Sequence, residues 1–396
     1  MLLVSCGTVG LADDRFLVER CEPDSPNDGR DARRGRSDGG NGSGHHALAL
    51  DDNRRAEYKE EGFLRPLQVN FALGPSGSGT VLTRGGHIKK AELHCHLGGL
   101  LCPDYLGELS RAGMGDLPDE KRLRSFYPVT DMASWFRLAE YVEPWQRNRG
   151  EMLLEVLRVH CGRLVSQEVT HLEVMLTHMN SQYDDFEEQC RLMDRYRSLR
   201  EEFRNRLEIS YLYCAGRTPN SEKRERQAAR CIALFDRGYV QGYSLAGDES
   251  ACRVKEMADI FSMFRDRGLP VEIHAGEWGG PDSVWDALEY GFPRRIGHGV
   301  AARKDPVLMA HLADQRIHLE ICPTSNLLLT DIRCIRDHPI RTFFEKNVPL
   351  SVNTDDPGHF GCTMESEFTL LETELGFTES DFGKIYEDSL SAAFSS

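Results

Sequence analysis

The chain has 396 residues, 40% of them hydrophobic, with 48 basic against 63 acidic side chains and a formal net charge of −15. That length holds one large α/β barrel with an appendage. The acidic balance argues against nucleic acid or an anionic membrane as partner, since both are polyanions, and no apolar run is long enough to span a bilayer.

Twelve cysteines are scattered without a Cys-x-x-Cys pair. Cys161, Cys214, Cys231 and Cys322 sit in apolar stretches, which reads as reduced, buried thiols of a cytoplasmic protein. Met1-Leu-Leu-Val-Ser-Cys6 loosely resembles a lipoprotein cleavage site but lacks a basic start and a full apolar core. Residues 1–85 stand apart. Cys21 to His46 has almost no large apolar residue, so it cannot offset its ordering entropy and is expected to be disordered. His45-His46 is read as solvated loop. Residues 86–396 are expected to form the catalytic domain.

From Ile88 the pattern becomes regular. Strands are expected at Lys90–Leu93, Thr170–Leu176, Leu207–Cys214, Val240–Ala246, Val271–Ile273, Arg295–Gly297, Ile317–Ile321 and Pro349–Val352. Helices are expected at Pro103–Arg111, Met132–Val142 and Glu151–Ser166, then about Asp184–Arg206, Ser221–Asp236 and Arg253–Arg267. Further helices follow at Ser283–Glu289, Pro306–Asp314, Ile340–Glu345, Ser366–Glu374 and about Ser380–Ala393. Eight strands alternating with helical segments indicate a parallel sheet closed into a (β/α)8 barrel. No Gly-x-Gly-x-x-Gly follows the first strand, so a dinucleotide-binding sheet has no support.

Four strand ends carry chemistry: His94-Cys-His96, His274 with Glu277, His298, and Asp355-Asp356. In a (β/α)8 barrel such residues mark the catalytic face. His94 and His96 are two apart on a strand, so both rings point to one side. His274 offers a third nitrogen and Asp355 a carboxylate. Three imidazoles and one carboxylate suit a single Zn2+ with a position left for water. Asp355-Asp356 could instead cap a helix, but Pro357-Gly358 is read as breaking any helix there. The fourth strand ends Leu245-Ala-Gly-Asp248 without the Lys that a bimetallic site would use, so one metal per chain is expected. His298 could take a proton from a metal-bound water or orient it. Glu277, in a dry pocket, would have a raised pKa and could donate a proton to a ring nitrogen. Asp356 could meet a heterocyclic N–H, and Gly247 leaves backbone room for a flat ligand. Together these suit hydrolysis at an aromatic carbon.

The chain resembles the adenosine deaminase family of metal-dependent purine deaminases. The matching pieces are Lys90-Ala-Glu-Leu-His-Cys-His-Leu97, Ser244-Leu-Ala-Gly-Asp-Glu249, Ile273-His-Ala-Gly-Glu277, Arg295-Ile-Gly-His-Gly299, Ile321-Cys-Pro-Thr-Ser-Asn326 and Val352-Asn-Thr-Asp-Asp-Pro357. They cover roughly residues 88–396 in the family's order. The resemblance implies a zinc site of His94, His96, His274 and Asp355, with Glu277 as proton donor to purine N1 and His298 orienting the water. It also implies Asp356 facing N7 and the backbone amide of Gly247 facing N3. His96 counts among the substrate-facing residues as well. The implied reaction turns adenosine or a close 6-aminopurine nucleoside into the 6-oxo purine plus ammonia, in purine salvage.

Three departures bear on the substrate and on stability. The acidic residue expected after His-x-His-Leu in adenosine deaminases is Gly98, which removes a ribose contact and is expected to leave space. Free adenine, N6-methyl-AMP or a 5′-modified adenosine is then an alternative substrate. The strand pattern Glu-x-Arg appears as Glu173-Val-Met175. The chain stops at Ser396, where the resemblance implies a further helix after Asp388–Phe394. A non-catalytic purine-binding descendant is disfavoured by the complete residue set. A two-metal phosphoesterase lacks its lysine, and a nucleic-acid base deaminase would need His-x-Glu with Pro-Cys-x-x-Cys ligation. Trp135-Phe136 and Tyr141 read equally as a lid or as core.

Overall fold

The computed structural model describes residues 88–147, 150–177 and 185–394. The disorder expected for residues 1–85, the His45-His46 pair and the helix start at Asp184 lie outside the described residues. Eight parallel strands form one sheet in sequential order: β1 (Lys90–His96), β2 (Val169–Met175), β3 (Glu208–Gly216), β4 (Gly242–Ala246), β5 (Val271–Ala275), β6 (Arg295–His298), β7 (His318–Ile321) and β8 (Leu350–Val352). A parallel bridge between Cys95 and Asp355 brings the last strand back to the first. Asp355 N donates to His94 O at 3.0 Å and His96 N to Asp355 O at 2.9 Å. Asn353 extends this seam, accepting the N–H of Leu93 at 2.9 Å through its side chain. The protein is therefore a (β/α)8 barrel.

Strand alternation divides the residues into two sets. Cys95, Leu172, Val174, Ile209, Tyr211, Ile273, Ile296, Leu319 and Leu350 are buried in the hydrophobic core formed with the surrounding helices. The opposite parity is polar and equally buried: Glu92, His94, His171, Glu173, Ser244, Glu272, His274, Arg295, His318, Glu320 and Ser351. Contacts across the barrel locate this second set in its lumen. Arg295 on β6 donates to Glu173 Oε2 on β2 at 2.5 Å and to Glu320 Oε1 on β7. A small apolar cluster of Met175, Leu212, Cys214, Ala246 and Phe394 packs beside them.

Boundaries shift where packing overrides local signals. The helix expected to stop at Val142 runs Met132–Arg147 through Pro144, and the one expected at Ser283–Glu289 spans Pro281–Gly291. Pro357 does not break the chain as expected. It opens a short helix, Pro357–Phe360, because its fixed φ suits a first helical position. Asp356 stands at that helix's N-cap position, but its side chain makes no capping hydrogen bond. Cys161, Cys214, Cys231 and Cys322 are buried thiols outside any disulfide, matching their apolar context. Among the described residues no helix is long and apolar enough to cross a membrane.

His318 faces the lumen with both ring nitrogens lacking a hydrogen-bond partner. Burial, then the positive charge of Arg295, lowers its pKa to about 3. The unfolded ring titrates at roughly 6.5. As pH falls from that value, the unfolded chain gains a proton the folded chain refuses, so stability is lost at about 1.4 kcal/mol per pH unit for this ring. His318→Leu should therefore flatten the fall in denaturation midpoint between pH 6.5 and 4. A variant with the same pH slope as the wild type would disprove the neutral assignment.

Candidate active site

The C-terminal ends of β1, β5, β6 and β8 bring the expected residues together. His94 and His96 share the lumen-facing parity of β1, and His274 has that parity on β5. His96 Nε2 and His274 Nε2 lie 3.1 Å apart. Asp355 Oδ1 is 3.5 Å from His94 Nε2 and 3.4 Å from His96 Nε2. Ligand atoms of His94, His96 and His274 lie within 4.8 Å of one another, as do those of His94, His298 and Asp355. His298 Nε2 sits 3.5 Å from Glu277 Oε2. Asp355 (φ 64°) and His298 (φ 60°) both adopt the left-handed region, an uncommon and strained state for side-chain-bearing residues. This backbone turns both groups at the strand ends towards the same point.

A second layer of carboxylates lies behind the rings, and one of them hydrogen-bonds His94. His94 Nδ1 meets Glu320 Oε2 at 2.7 Å, and His274 Nδ1 lies 3.0 Å from Glu272 Oε1. A carboxylate at one ring nitrogen leaves the other nitrogen's lone pair directed at the shared point, the arrangement found behind metal-binding histidines. Ser325 Oγ donates to Asp355 Oδ2 at 2.7 Å. Gly297 is the place where these groups crowd. A Cβ there would stand 2.3 Å from Glu272 Oε1, 3.0 Å from His94 Cε1 and 3.1 Å from His274 Nδ1.

These residues fit a cation. His94 Nε2 is buried without a hydrogen-bond partner. Burial, reinforced by neighbouring imidazoles, lowers His96 and His274 to about 3, so both rings are neutral and can ligate. Burial works against ionisation at Asp355, but His94 and the adjacent rings outweigh it and hold the carboxylate charged. Arg295 is already committed to Glu173 and Glu320. Buried negative charge of this kind needs a positive partner.

Glu277 stands just past β5 on a loop fixed by Glu249. The Glu249 carboxylate accepts the backbone N–H groups of Gly276 (2.7 Å), Glu277 (2.9 Å), Trp278 (2.8 Å) and Gly279 (3.0 Å). Burial, with the charges of Asp355 and Glu249 added, pushes the Glu277 carboxyl well above its ordinary value. A cavity of about 330 Å³, lined in part by Met132, Glu277, Trp278 and Leu329, leads to it. Trp135 packs against Trp278 at 6.3 Å between ring centroids, at this entrance, while Tyr141 stacks on Phe126 at 5.0 Å as packing. Asp356 is buried against Gly99, where a Cβ would meet its Oδ1 at 1.9 Å. Gly247 follows β4 with φ 89°, which a side chain would strain.

Gly98 corrects an expectation. The space beside it is not free. Gln146 Nε2 donates to Gly98 O at 2.9 Å, and a Cβ on Gly98 would meet that amide at 2.9 Å. The helix carrying Gln146 extends beyond its expected end, so no local pattern announced this contact.

A parallel barrel with imidazoles and carboxylates gathered at its C-terminal strand ends has the form of a hydrolytic enzyme, and the similar proteins give its class: a deaminase, a hydrolase acting on C–N bonds of cyclic amidines. The adenosine deaminase family model matches residues 89–396, and the chain belongs to that family. An adenine deaminase of Sinorhizobium fredii is 31% identical over 313 residues, covering 78% of this chain and 94% of that relative. An aminodeoxyfutalosine deaminase of Streptomyces avermitilis is 29% identical over 312 residues, covering 78% and 87%. The N6-methyl-AMP deaminase of Arabidopsis thaliana has a similar fold, with TM-score 0.67 and 22% identity over 78% of this chain and 93% of that one.

Sequence reasoning missed Glu249, Glu272, Glu320, Ser325 and Asn326 as parts of the site. Glu272 and Glu320 had a readable signal, because each is a charge two positions from a lumen-facing partner inside an otherwise apolar strand. Gly297→Ala should lower stability by about 1–3 kcal/mol, the usual cost of overpacking. An unchanged denaturation midpoint would show that Glu272 and the two rings can relax away.

Proposed function

We propose that the protein is a zinc-dependent deaminase that converts adenosine or a closely related 6-aminopurine to the 6-oxo purine and ammonia, in purine salvage. The observation that carries this reading is the convergence of His94, His96, His274 and Asp355 on one point, with the buried carboxyl of Glu277 beside it. Three nitrogen donors and one carboxylate suit one Zn2+ per chain, which when bound makes a coordinated water more acidic.

The chain's own residues account for the remaining steps. The elements of water add across the N1–C6 bond: oxygen bonds to C6 while Glu277, whose burial favours the protonated carboxyl, gives its proton to N1, and the two protons the oxygen gives up go one back to Glu277 and one to the amine. His298 orients the attacking oxygen. The C6–N bond then breaks, and the amine leaves as ammonia. Asp356 meets N7, the Gly247 amide meets N3, and His96 borders the substrate from the metal side. Trp135 and Trp278 narrow the entrance and limit bulk water. Residues 86–396 make up the catalytic domain in this reading, with residues 1–85 as an extension.

A second reading, free adenine or N6-methyl-AMP as substrate, is favoured by Gln146. Its amide covers Gly98, so the carboxylate expected for a ribose hydroxyl is replaced by an uncharged surface. The named relatives include adenine and N6-methyl-AMP deaminases, which fits.

Glu277→Gln should reduce ammonia release by roughly 10²–10⁴ with bound zinc unchanged. A rate near that of the wild type would remove Glu277 from the chemistry. Gly98→Asp combined with Gln146→Ala should raise activity on adenosine relative to adenine and N6-methyl-AMP. An unchanged ratio would show that this edge of the pocket does not read the sugar.

A further inference from the structure

His298 is the last member of a hydrogen-bonded chain that starts on the backbone and has one possible polarity. Ile340 N–H, at the first position of the helix Ile340–Glu345, has no intrahelical acceptor. It donates to His338 Nδ1 at 3.2 Å. A backbone N–H can only donate, so His338 Nδ1 accepts, and the neutral ring carries its proton on Nε2. Burial holds His338 neutral, with its pKa lowered to about 3. Its Nε2 lies 3.2 Å from the side chain of Asn326, which must present Oδ1 there. The amide group Nδ2 of Asn326 therefore points the other way, 3.1 Å from His298 Nδ1. That nitrogen has to accept. Asn326, His338 and His298 are all buried, so water does not compete for these partners.

We propose that Asn326 and His338 are positioning residues that lock His298 in the tautomer with its proton on Nε2. His298 then acts at the reacting centre as a hydrogen-bond donor and not as a proton acceptor. Nε2 is the nitrogen directed at Glu277, 3.5 Å away. It already bears a proton, and Nδ1 faces an amide N–H, so neither nitrogen can take a proton without breaking the chain. The N–H instead holds a lone pair of the attacking oxygen and stabilises the charge that grows on it. Of the two roles the sequence allowed for His298, orientation is retained and proton abstraction is excluded.

The assignment rests on His298 facing the reacting centre as in the proposed function, but its first test needs no substrate. Two-bond ¹⁵N–¹H spectra of the full-length, zinc-loaded, histidine-labelled protein report which ring nitrogen is protonated, with His298 assigned by loss of its signals in His298→Asn. The expected result is a proton on Nε2 of both His298 and His338, and a proton on Nδ1 of His298 overturns the proposal. Asn326→Asp keeps the shape but offers acceptors to both rings, and its ionised form should move the His298 proton to Nδ1. A wrong tautomer costs about 10⁴ in kcat in the serine-protease triad. Here kcat should fall by roughly 10²–10⁴ with KM and zinc content little changed. Asn326→Ala should cost less, because it frees the ring without forcing the wrong tautomer, whereas a merely structural role would make the larger truncation worse. His338→Leu, which leaves Asn326 in place, should give a mixture of tautomers and an intermediate kcat. A variant whose proton has moved to Nδ1 yet keeps wild-type kcat overturns the donor role.

Discussion

The ring of His94 is held on Nδ1 by the buried carboxylate of Glu320, which leaves Nε2 facing Asp355 across 3.5 Å, and much of the barrel lumen exists to keep it there. Glu320 can hold His94 because Arg295 balances its charge, and Arg295 in turn is shared with Glu173 across the lumen. The chain's final turns close this network from below. Phe394 N donates to Glu173 Oε1 at 2.5 Å, Ala392 O accepts from Arg295 Nη1 at 2.9 Å, and the Phe394 ring lies 3.5 Å from the guanidinium carbon. A buried charge left without its partner typically costs several kcal/mol, so these groups stand or fall together. The lumen is not an oily core that happens to carry a site. Its polar pairing is the scaffold of the site.

Two environments sit side by side at the strand ends. Around Asp355, imidazoles surround a carboxylate and keep it ionised. Around Glu277, burial and nearby negative charge push a carboxyl well above its ordinary pKa. Carboxyls pushed in opposite directions within one site can divide the work of a hydrolysis, one holding positive charge and the other supplying a proton. Backbone geometry enforces the separation. The left-handed turns at His298 and Asp355 bring one pair of groups to the centre, and Glu249 pins the four successive amides that carry Glu277.

The polarity of the Ile340–His338–Asn326–His298 chain adds a remote control on the chemistry. A backbone amide on a helix outside the lumen decides which nitrogen of His298 bears hydrogen. Neither of the two side chains behind His298, Asn326 and His338, need touch substrate to matter. A hydrogen bond has a direction, and in a dry interior that direction passes intact from one group to the next.

The sequence by itself determined the barrel, the strands that carry His94, His96, His274, His298 and Asp355, and the position of Glu277 beyond β5. Those features are local: alternation along a strand and chemistry at its end are written in adjacent residues. Tertiary structure decided what surrounds them. Glu272 and Glu320 are readable as charges inside apolar strands, but they and Arg295 find their partners only when closure of the barrel turns them inward. Gln146 reaches Gly98 only because its helix runs on through Pro144, against the local signal. Asn326 and His338 acquire a role only when two distant segments pack against β6. Closure and packing join residues hundreds of positions apart, and the energy of a buried polar group depends on that partner rather than on its neighbours in the chain.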